Sequence, residues 1–190
     1  MTRCMWRSLG LAILLLSAQV GYGEVQHAGP EGFVSAHTLV LPVPPEQAFT
    51  ALTAQVHLWW DAAHSYGGEA ARFSMQTRAG GCFCEDLGAA GSVEHMRVVN
   101  VQQGKSITLR GALGPLQGMA TNGAMTFRFE PHPEGSELRY RYAVGGYAPG
   151  GLERLAGPVD QVQLGQLQRL RDYLVGVVER ERMDGTANPD

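Results

Sequence analysis

Two kinds of hydrophobic spacing divide this chain into a strand-rich part and one terminal helix. From Phe33 to Leu41 the side chains alternate with the two-residue period of a β-strand. Further strand-like runs, separated by Gly- and Pro-containing turns, span residues 72–77, 82–87, 92–101, 106–113, 123–131 and 136–144. Short connections of this kind favour an antiparallel meander of about seven strands.

Helical patterns flank the meander. Pro44 and Pro45 precede a first short helix, because proline suits the first helical turn. A second short helix begins near Val56 and ends before Gly67. Near the C-terminus the apolar residues recur every three to five positions, which predicts one long amphipathic helix that Pro158 kinks or interrupts. These apolar positions are Leu152, Leu155, Val159, Val162, Leu167, Leu170, Leu174 and Val177.

The order of elements predicts an α+β fold. One strand, two short helices, six strands and a long helix would form a curved antiparallel sheet wrapped around the C-terminal helix, with room for a ligand between them. The predicted domain spans residues 33–178. Residues 24–32, rich in Gly, Glu and Pro, predict a flexible lead-in, and residues 179–190 predict a polar tail that frays.

The N-terminus has the features of a secretory signal. Arg3 and Arg7 precede an apolar run from about Leu9 to Val20, which is shorter than the roughly 20 residues of a membrane span. Small residues end the run, so residues 1–23 are predicted to be removed by cleavage after Gly23, and a retained anchor is the alternative. The mature protein is then expected to be periplasmic or secreted, without a stable membrane span.

Composition narrows the possible partners. The chain is 44% hydrophobic and 17% charged, as expected of a globular domain. Its net charge of -3 and the absence of a basic run argue against nucleic-acid binding. The oligomeric state is not indicated by the sequence.

Several motifs resemble those of the START-like, or SRPBCC, superfamily, which has the helix-grip fold. They are Val43-Pro44-Pro45-Glu46-Gln47-Ala48-Phe49, the Trp59-Trp60 pair, Gly80-Gly81-x-Phe83-x-Glu85 and the long terminal helix. The likeness covers about residues 33–178. Within the superfamily, the chain resembles the branches of heat-shock-ATPase activators and polyketide cyclases. The segments 82–85, 111–118 and 147–151 resemble an exported, uncharacterised sub-branch. The likeness implies an internal hydrophobic cavity and transfers no catalytic residue.

A small apolar ligand, lipid-like or aromatic, is therefore the expected partner, with no cofactor and no metal. The residues predicted to form the cavity and its mouth are Trp60, Asp61, His64, Tyr66, Phe73, Met75, Cys82, Cys84, His95, Met125, Phe127, Leu155, Val159 and Val162. An alternative is a cyclase-like or hydrolytic enzyme in which Asp61, His64 or His95 acts as acid or base. A protein-interaction module is a second alternative. In the aromatic segment, Trp59 and Trp60 also suit a purely structural role as anchors of the helix.

Cys82 and Cys84 lie two residues apart on a strand, so their side chains share one face. Free buried cysteine is common, and two unpaired thiols on the inner face are the favoured interpretation. A strained disulfide or a pair of thiolate ligands for a soft metal are the alternatives, because the Cα spacing of an extended strand is at the limit for a disulfide. Glu85 and Glu94 are expected to be solvent-facing carboxylates, and an acid–base role of Glu85, Glu94 and His95 in the cavity is the alternative.

Overall fold

The computed structural model describes residues 24–186. A curved, open antiparallel sheet has eight strands in the order β1-β2-β8-β7-β6-β5-β4-β3. The strands are β1 (Glu24–Gly29), β2 (Gly32–Leu41), β3 (Phe73–Met75), β4 (Cys82–Asp86), β5 (Ser92–Gln102), β6 (Ser106–Gly111), β7 (Ala120–His132) and β8 (Gly135–Tyr147). The helices are α1 (Pro45–Thr53), α2 (Val56–Trp59) and the long α3 (Glu153–Thr186). Short 3₁₀ helices occur at Ala62–His64, Ala70–Arg72, Gly88–Ala90 and Gly114–Gly118. The predicted α+β, helix-grip class is confirmed.

The sheet has one strand more than the sequence predicts. The additional strand is β1, which lies in the segment 24–32 that was predicted to be a flexible lead-in. It pairs with β2 in a tight hairpin from Glu24↔Ala36 to Gly29↔Gly32, with a register shift between Val25 and His27. Backbone pairing orders an edge strand even where its side chains show no alternation. At Gly32 a Cβ atom would lie 2.4 Å from the carbonyl oxygen of Val144, so only glycine fits this approach to β8.

Helix α3 is longer and more continuous than the sequence predicted. It runs through Pro158 without a break and continues to Thr186, into the segment expected to fray. Pro158 itself is exposed and borders a pocket beside the helix. None of the helices within residues 24–186 is both long and apolar enough to cross a membrane.

The short helices close one end of the core. Phe49 of α1 packs edge-on against Phe129 of β7, with ring centroids 6.1 Å apart. Trp59 is buried, and its indole nitrogen donates to the carbonyl oxygen of Ala51 at 2.8 Å. The side chain of Trp59 thereby ties α2 to α1. The segment that follows is joined to α3, because the backbone N–H of Asp61 donates to Oε1 of Gln166 at 3.0 Å.

Strand β2 turns its more polar side inward. Ser35 and His37 are buried together with Phe33 and Leu41, whereas Thr38 and Val40 are exposed. Alternation in the sequence predicts the strand without indicating which face is inside. The polar side chains of β2 consequently meet helix α3 in the interior.

Candidate functional site

A pocket of about 620 Å³ lies between the first half of α3, the segment 60–66 and the loop 113–116. Its walls are mostly apolar, with Leu113, Leu116, Leu155, Val159 and Val162 among the lining residues. The structure places half of the predicted cavity residues around it, namely Trp60, His64, Tyr66, His95, Leu155, Val159 and Val162. The apolar residues of α3 that were predicted to face a ligand therefore do line a pocket.

A β-bulge turns His95 into this interior. The β4–β5 register shifts between Phe83↔Met96 and Cys84↔Glu94, which leaves His95 as an extra residue in β5. His95 and Met96 are consequently buried in succession, although strict alternation would place them on opposite faces. Bulges re-aim side chains in this way, and here the result is that His95 lies on the same face as Glu85.

The carboxylate of Glu85 is fully buried and is surrounded by hydrogen-bond donors. The Ser65 hydroxyl and the Gly67 backbone N–H donate to Oε1, each at 2.6 Å, and the Tyr66 backbone N–H donates to Oε2 at 3.0 Å. Burial alone would raise the pKa of Glu85, but these hydrogen bonds, with that of His95, outweigh it and lower the pKa below its usual range. Glu85 is therefore ionised at neutral pH.

The imidazole of His95 is held between this carboxylate and three aromatic rings. Its Nε2 lies 3.1 Å from Oε2 of Glu85. The ring stacks on Phe73 with centroids 5.0 Å apart and also packs against Phe83 and Tyr66. Burial lowers the pKa of His95 despite the opposing effects of the hydrogen bond and charge of Glu85. The imidazole is thus mainly neutral at neutral pH, with its Nε2 proton donated to Glu85.

The expectation that Glu85 faces solvent is wrong, and His95 lies beside it in the interior. Both side chains are almost completely inaccessible and form a pair, because the bulge moves His95 inward and the loop 65–67 covers Glu85 with donors. Glu94, in contrast, is exposed as expected and pairs with Arg97 on the surface. Of the three residues considered for an acid–base role, Glu85 and His95 therefore form a buried pair and Glu94 does not belong to it.

Hydrogen bonds of Tyr66 and Gln117, here called the Tyr66 latch, join the segments at the rim of the pocket. The Tyr66 hydroxyl donates toward the carbonyl oxygen of Gly114 and Oε1 of Gln117, each at 3.2 Å. The Gln117 amide in turn donates to the backbone carbonyl of Glu94 at 2.9 Å. These bonds join the segment 62–68, the loop 113–118 and β5. Since Tyr66 is 55% exposed, the latch is accessible to water.

Helix α3 contributes a polar side chain, Gln163, to the apolar wall. The buried Tyr140 hydroxyl donates to Oε1 of Gln163 at 3.0 Å. Burial, followed by the charges of Tyr142 and Asp160, raises the pKa of Tyr140 well above its usual value, so this hydroxyl keeps its proton. Because Oε1 is occupied as an acceptor, the amide nitrogen of Gln163 is left as a hydrogen-bond donor.

A second buried His–carboxylate pair lies farther along the seam between β2 and α3. Asp160 Oδ1 accepts from the Ser35 hydroxyl at 2.6 Å and lies 2.9 Å from Nε2 of His37. The His37 side chain is 1% exposed, and its Nδ1 is enclosed with no hydrogen-bond partner among the described residues. None of these three side chains lines the large pocket.

Other residues predicted for the cavity lie elsewhere. Met75, Met125 and Phe127 border a void of only about 20 Å³ deeper in the core. Phe73 packs beneath His95 instead of lining the pocket. Asp61 accepts a hydrogen bond from the backbone of Ala63 and lines a shallow surface hollow instead. Met75, Met125, Phe127 and Phe73 thus belong to the core, and Asp61 lies at the surface.

The favoured interpretation of Cys82 and Cys84 is wrong on two counts. Their sulfur atoms form a disulfide, and both residues are half-buried on the face opposite Phe83 and Glu85. The Cα atoms are 5.5 Å apart, closer than in an extended strand, beside the β4–β5 bulge. Within residues 24–186 no group of three or more His, Cys, Asp or Glu side chains could hold a metal ion.

Sequence reasoning did not identify Gln163 or the Ser35–His37–Asp160 cluster. A usable pattern was present in α3, where Asp160, Gln163 and Gln166 recur every three residues on the face that carries Leu167 and Leu170. Polar residues on the buried stripe of a helix need interior partners.

Comparison with known proteins gives matches of structure only. No protein-family model matches the chain, and no curated protein matches it in sequence.

Among solved structures, an uncharacterised protein from Rhizobium leguminosarum superposes with a TM-score of 0.57 at 17% identity, covering 82% of this chain and 98% of that one. CalU16 from Micromonospora echinospora gives a TM-score of 0.53 at 13% identity, covering 82% and 84%. Ara h 8.0201 gives 0.54 at 10% identity, covering 75% and 97%. At such identities the likeness concerns the fold alone, and it agrees with the helix-grip fold of this chain.

Proposed function

We propose that this protein binds a small, largely apolar molecule, lipid-like or aromatic, in the pocket between α3 and the loop 113–116. The pocket itself carries this proposal. Its volume of about 620 Å³ is in the range of small-molecule sites, and its apolar walls are interrupted by a few fixed polar groups, chiefly His95 and Gln163. Apolar walls favour burial of a hydrophobic ligand, and the polar groups would set its orientation.

The rim supports a binding role as well. The Tyr66 latch joins two loop segments over the pocket through single hydrogen bonds to Gly114 and Gln117. Such bonds each contribute about 1 kcal/mol, so they can open and re-form as a ligand enters. A binding site that is covered by separable loops can admit a ligand and then exclude water from it.

We further propose that the protein acts outside the cytoplasm. The proposal rests on the charged and apolar pattern of residues 1–20, which lies outside the described residues, and on the Cys82–Cys84 disulfide. Disulfides persist in oxidising compartments such as the bacterial periplasm. Cleavage after Gly23 would leave β1 intact, since that strand begins at Glu24. Cell fractionation with N-terminal sequencing of the mature chain tests this, and a cytoplasmic chain that retains Met1 would contradict it.

Ligand binding can be tested with N-phenylnaphthylamine, a neutral dye whose emission rises in apolar surroundings. Wild-type protein is expected to bind it saturably. Val162→Trp places a large side chain in the pocket and is expected to weaken binding at least about tenfold, or 1.4 kcal/mol. Val175→Trp is the matched control, because Val175 lies on the same helix, is 40% exposed and does not line the pocket.

Equal dye affinity in Val162→Trp and Val175→Trp would show that the dye binds elsewhere and would contradict the proposal. Circular dichroism establishes that both variants are folded. Native mass spectrometry of protein purified from its own host would then identify the class of any co-purified ligand.

A further inference from the structure

The second ring nitrogen of His95, Nδ1, is not used by the pairing with Glu85. Within residues 24–186 no hydrogen bond involves Nδ1 of His95, whereas Nε2 lies against Glu85. The enclosed side-chain nitrogen and oxygen atoms without a hydrogen-bond partner in that part of the chain belong to His37, Arg72 and Ser136. Nδ1 of His95 thus has no hydrogen-bond partner but is not fully enclosed, and His95 lines the pocket.

Glu85 determines which nitrogen of His95 carries the proton. An ionised carboxylate can only accept hydrogen bonds, so the imidazole proton resides on Nε2 and the lone pair on Nδ1. Stacking on Phe73 and packing against Phe83 hold the ring plane. An oriented imidazole with a buried carboxylate behind it is an arrangement that can remove a proton and stabilise the resulting imidazolium.

Gln163 supplies a complementary group in the same pocket. Its Oε1 accepts from Tyr140, so its amide nitrogen can donate to an oxygen atom of an occupant. The pocket thus combines an acceptor of protons, a donor of hydrogen bonds and apolar walls. A largely apolar carbonyl compound with an acidic C–H bond beside the carbonyl matches all three.

We propose that His95 is a general base that removes a proton from carbon in such a carbonyl compound, with Glu85 as its positioning residue and Gln163 as donor to the carbonyl oxygen. The inference rests on the proposed function, because the substrate must occupy the same pocket. The C–H bond breaks, its proton passes to Nδ1, and its electron pair moves toward the carbonyl to form an enolate. When the substrate has a carbon–carbon double bond β,γ to the carbonyl, this enolate is a dienolate. Return of the same proton from Nδ1 to the γ carbon then shifts the double bond into conjugation with the carbonyl, an isomerisation that needs no co-reactant.

Several ionisable groups surround the imidazole. Glu85 faces it from β4, the Tyr66 ring lies 5.9 Å away, and His64 lines the same pocket. Arg72 interacts electrostatically with Glu85. On β5 itself, Glu94 and Arg97 pair with each other at the surface. Glu85 is therefore the charged group in direct contact with His95, and its removal should change the pH dependence of proton transfer.

A nitrobenzisoxazole is a suitable probe, because a base removes its carbon-bound proton while the N–O bond breaks, releasing a coloured cyanonitrophenolate. Wild-type protein is expected to convert it with saturation kinetics. His95→Gln, which keeps an amide donor for Glu85, should lower kcat by roughly 100-fold. His57→Gln is the matched control, since His57 is exposed and lines no part of the pocket. Its rate should equal that of wild type.

The pH profile tests the role of Glu85. Activity should rise with pH as His95 loses its proton. Glu85→Gln removes the charge that favours imidazolium, so the half-maximal pH should move downward and the maximal rate should fall. A merely structural Glu85 would leave the half-maximal pH unchanged.

Dye binding separates the possible failures. Saturable binding of N-phenylnaphthylamine together with turnover that is equal in wild type and His95→Gln would overturn the general-base assignment and leave the proposed function standing. Because His95 also borders a shallow hollow beside Glu94 and Arg110, turnover that persists in Val162→Trp would place the reaction outside the pocket and overturn the assignment. Absence of saturable dye binding would overturn the proposed function and the inference with it.

Discussion

The fold contains two buried His–carboxylate pairs that differ in what surrounds the histidine. His95 and Glu85 both come from the sheet, and a loop covers the carboxylate with backbone donors. His37 comes from β2 and its partner Asp160 from α3, so this pair joins the sheet to the helix. One imidazole has its second nitrogen accessible at a pocket, and the other has it enclosed. The same two chemical groups thus border a pocket in one place and join the sheet to the helix in the other.

The largest expected effect is at Glu85. Glu85→Ala would leave the Ser65 hydroxyl, two backbone N–H groups and His95 without their buried acceptor, and should lower the free energy of unfolding by roughly 3 to 5 kcal/mol. Urea denaturation at neutral pH measures this. Glu94→Ala is the control on the neighbouring strand, because exposed ion pairs contribute at most about 1 kcal/mol. Equal losses in the two variants would mean that the donors around Glu85 re-pair with water.

Removal of Asp160 should cost less, because two donors lose their acceptor instead of four. We expect Asp160→Ala to lower the free energy of unfolding by about 2 to 3 kcal/mol. Asp172→Ala, an exposed substitution on the same helix, should change it by less than about 0.5 kcal/mol. Thermal denaturation of both variants provides the measurement. A loss for Asp160→Ala larger than that for Glu85→Ala would reverse the ranking of the two pairs.

The disulfide lies near only one of the two His–carboxylate pairs. It is on β4, the strand that carries Glu85, but on the opposite face. Its loop is very short, so the double variant Cys82→Ser, Cys84→Ser should be destabilised by only about 1.5 kcal/mol. Dye binding should persist, because neither residue lines the pocket. Loss of dye binding in a folded double variant would mean that the disulfide is needed to keep the bulge at His95.

The smallest expected effect is the contribution of His95 to the pH dependence of the free energy of unfolding. In the unfolded chain His95 takes up a proton near its ordinary pKa of 6.5, but in the folded protein only at lower pH, because burial lowers its pKa. The unfolded state therefore binds more protons below about pH 6.5, and stability falls there by a fraction of the roughly 1.4 kcal/mol per pH unit that one group can contribute. Glu85 adds a second loss below its ordinary value of 4.5.

His95→Gln should abolish the first loss and retain the second. Urea midpoints collected from about pH 7.5 to about pH 4 distinguish the two phases. An unchanged profile in His95→Gln would assign the upper phase to another group.

Much of the fold could be predicted from the sequence, because strand alternation and helical spacing are local patterns. The arrangement at His95 could not, since it depends on one extra residue in β5 whose effect appears only when β4 is paired beside it. The inward face of β2 was equally undetermined, because Ser35 and His37 are acceptable in the core only where Asp160 meets them. The disulfide likewise depends on a local departure from extended geometry that spacing alone does not reveal.

The hairpin of β1 and β2 has a consequence for how the protein behaves at high concentration. An open sheet has two free edges, and exposed edges can recruit strands from other chains and start aggregation. Here one edge is β1, whose register shift between Val25 and His27 disrupts a regular row of backbone groups, and the other is β3, which is only three residues long. Both edges are poor templates for strand addition, so the sheet can remain open around α3 without promoting self-association.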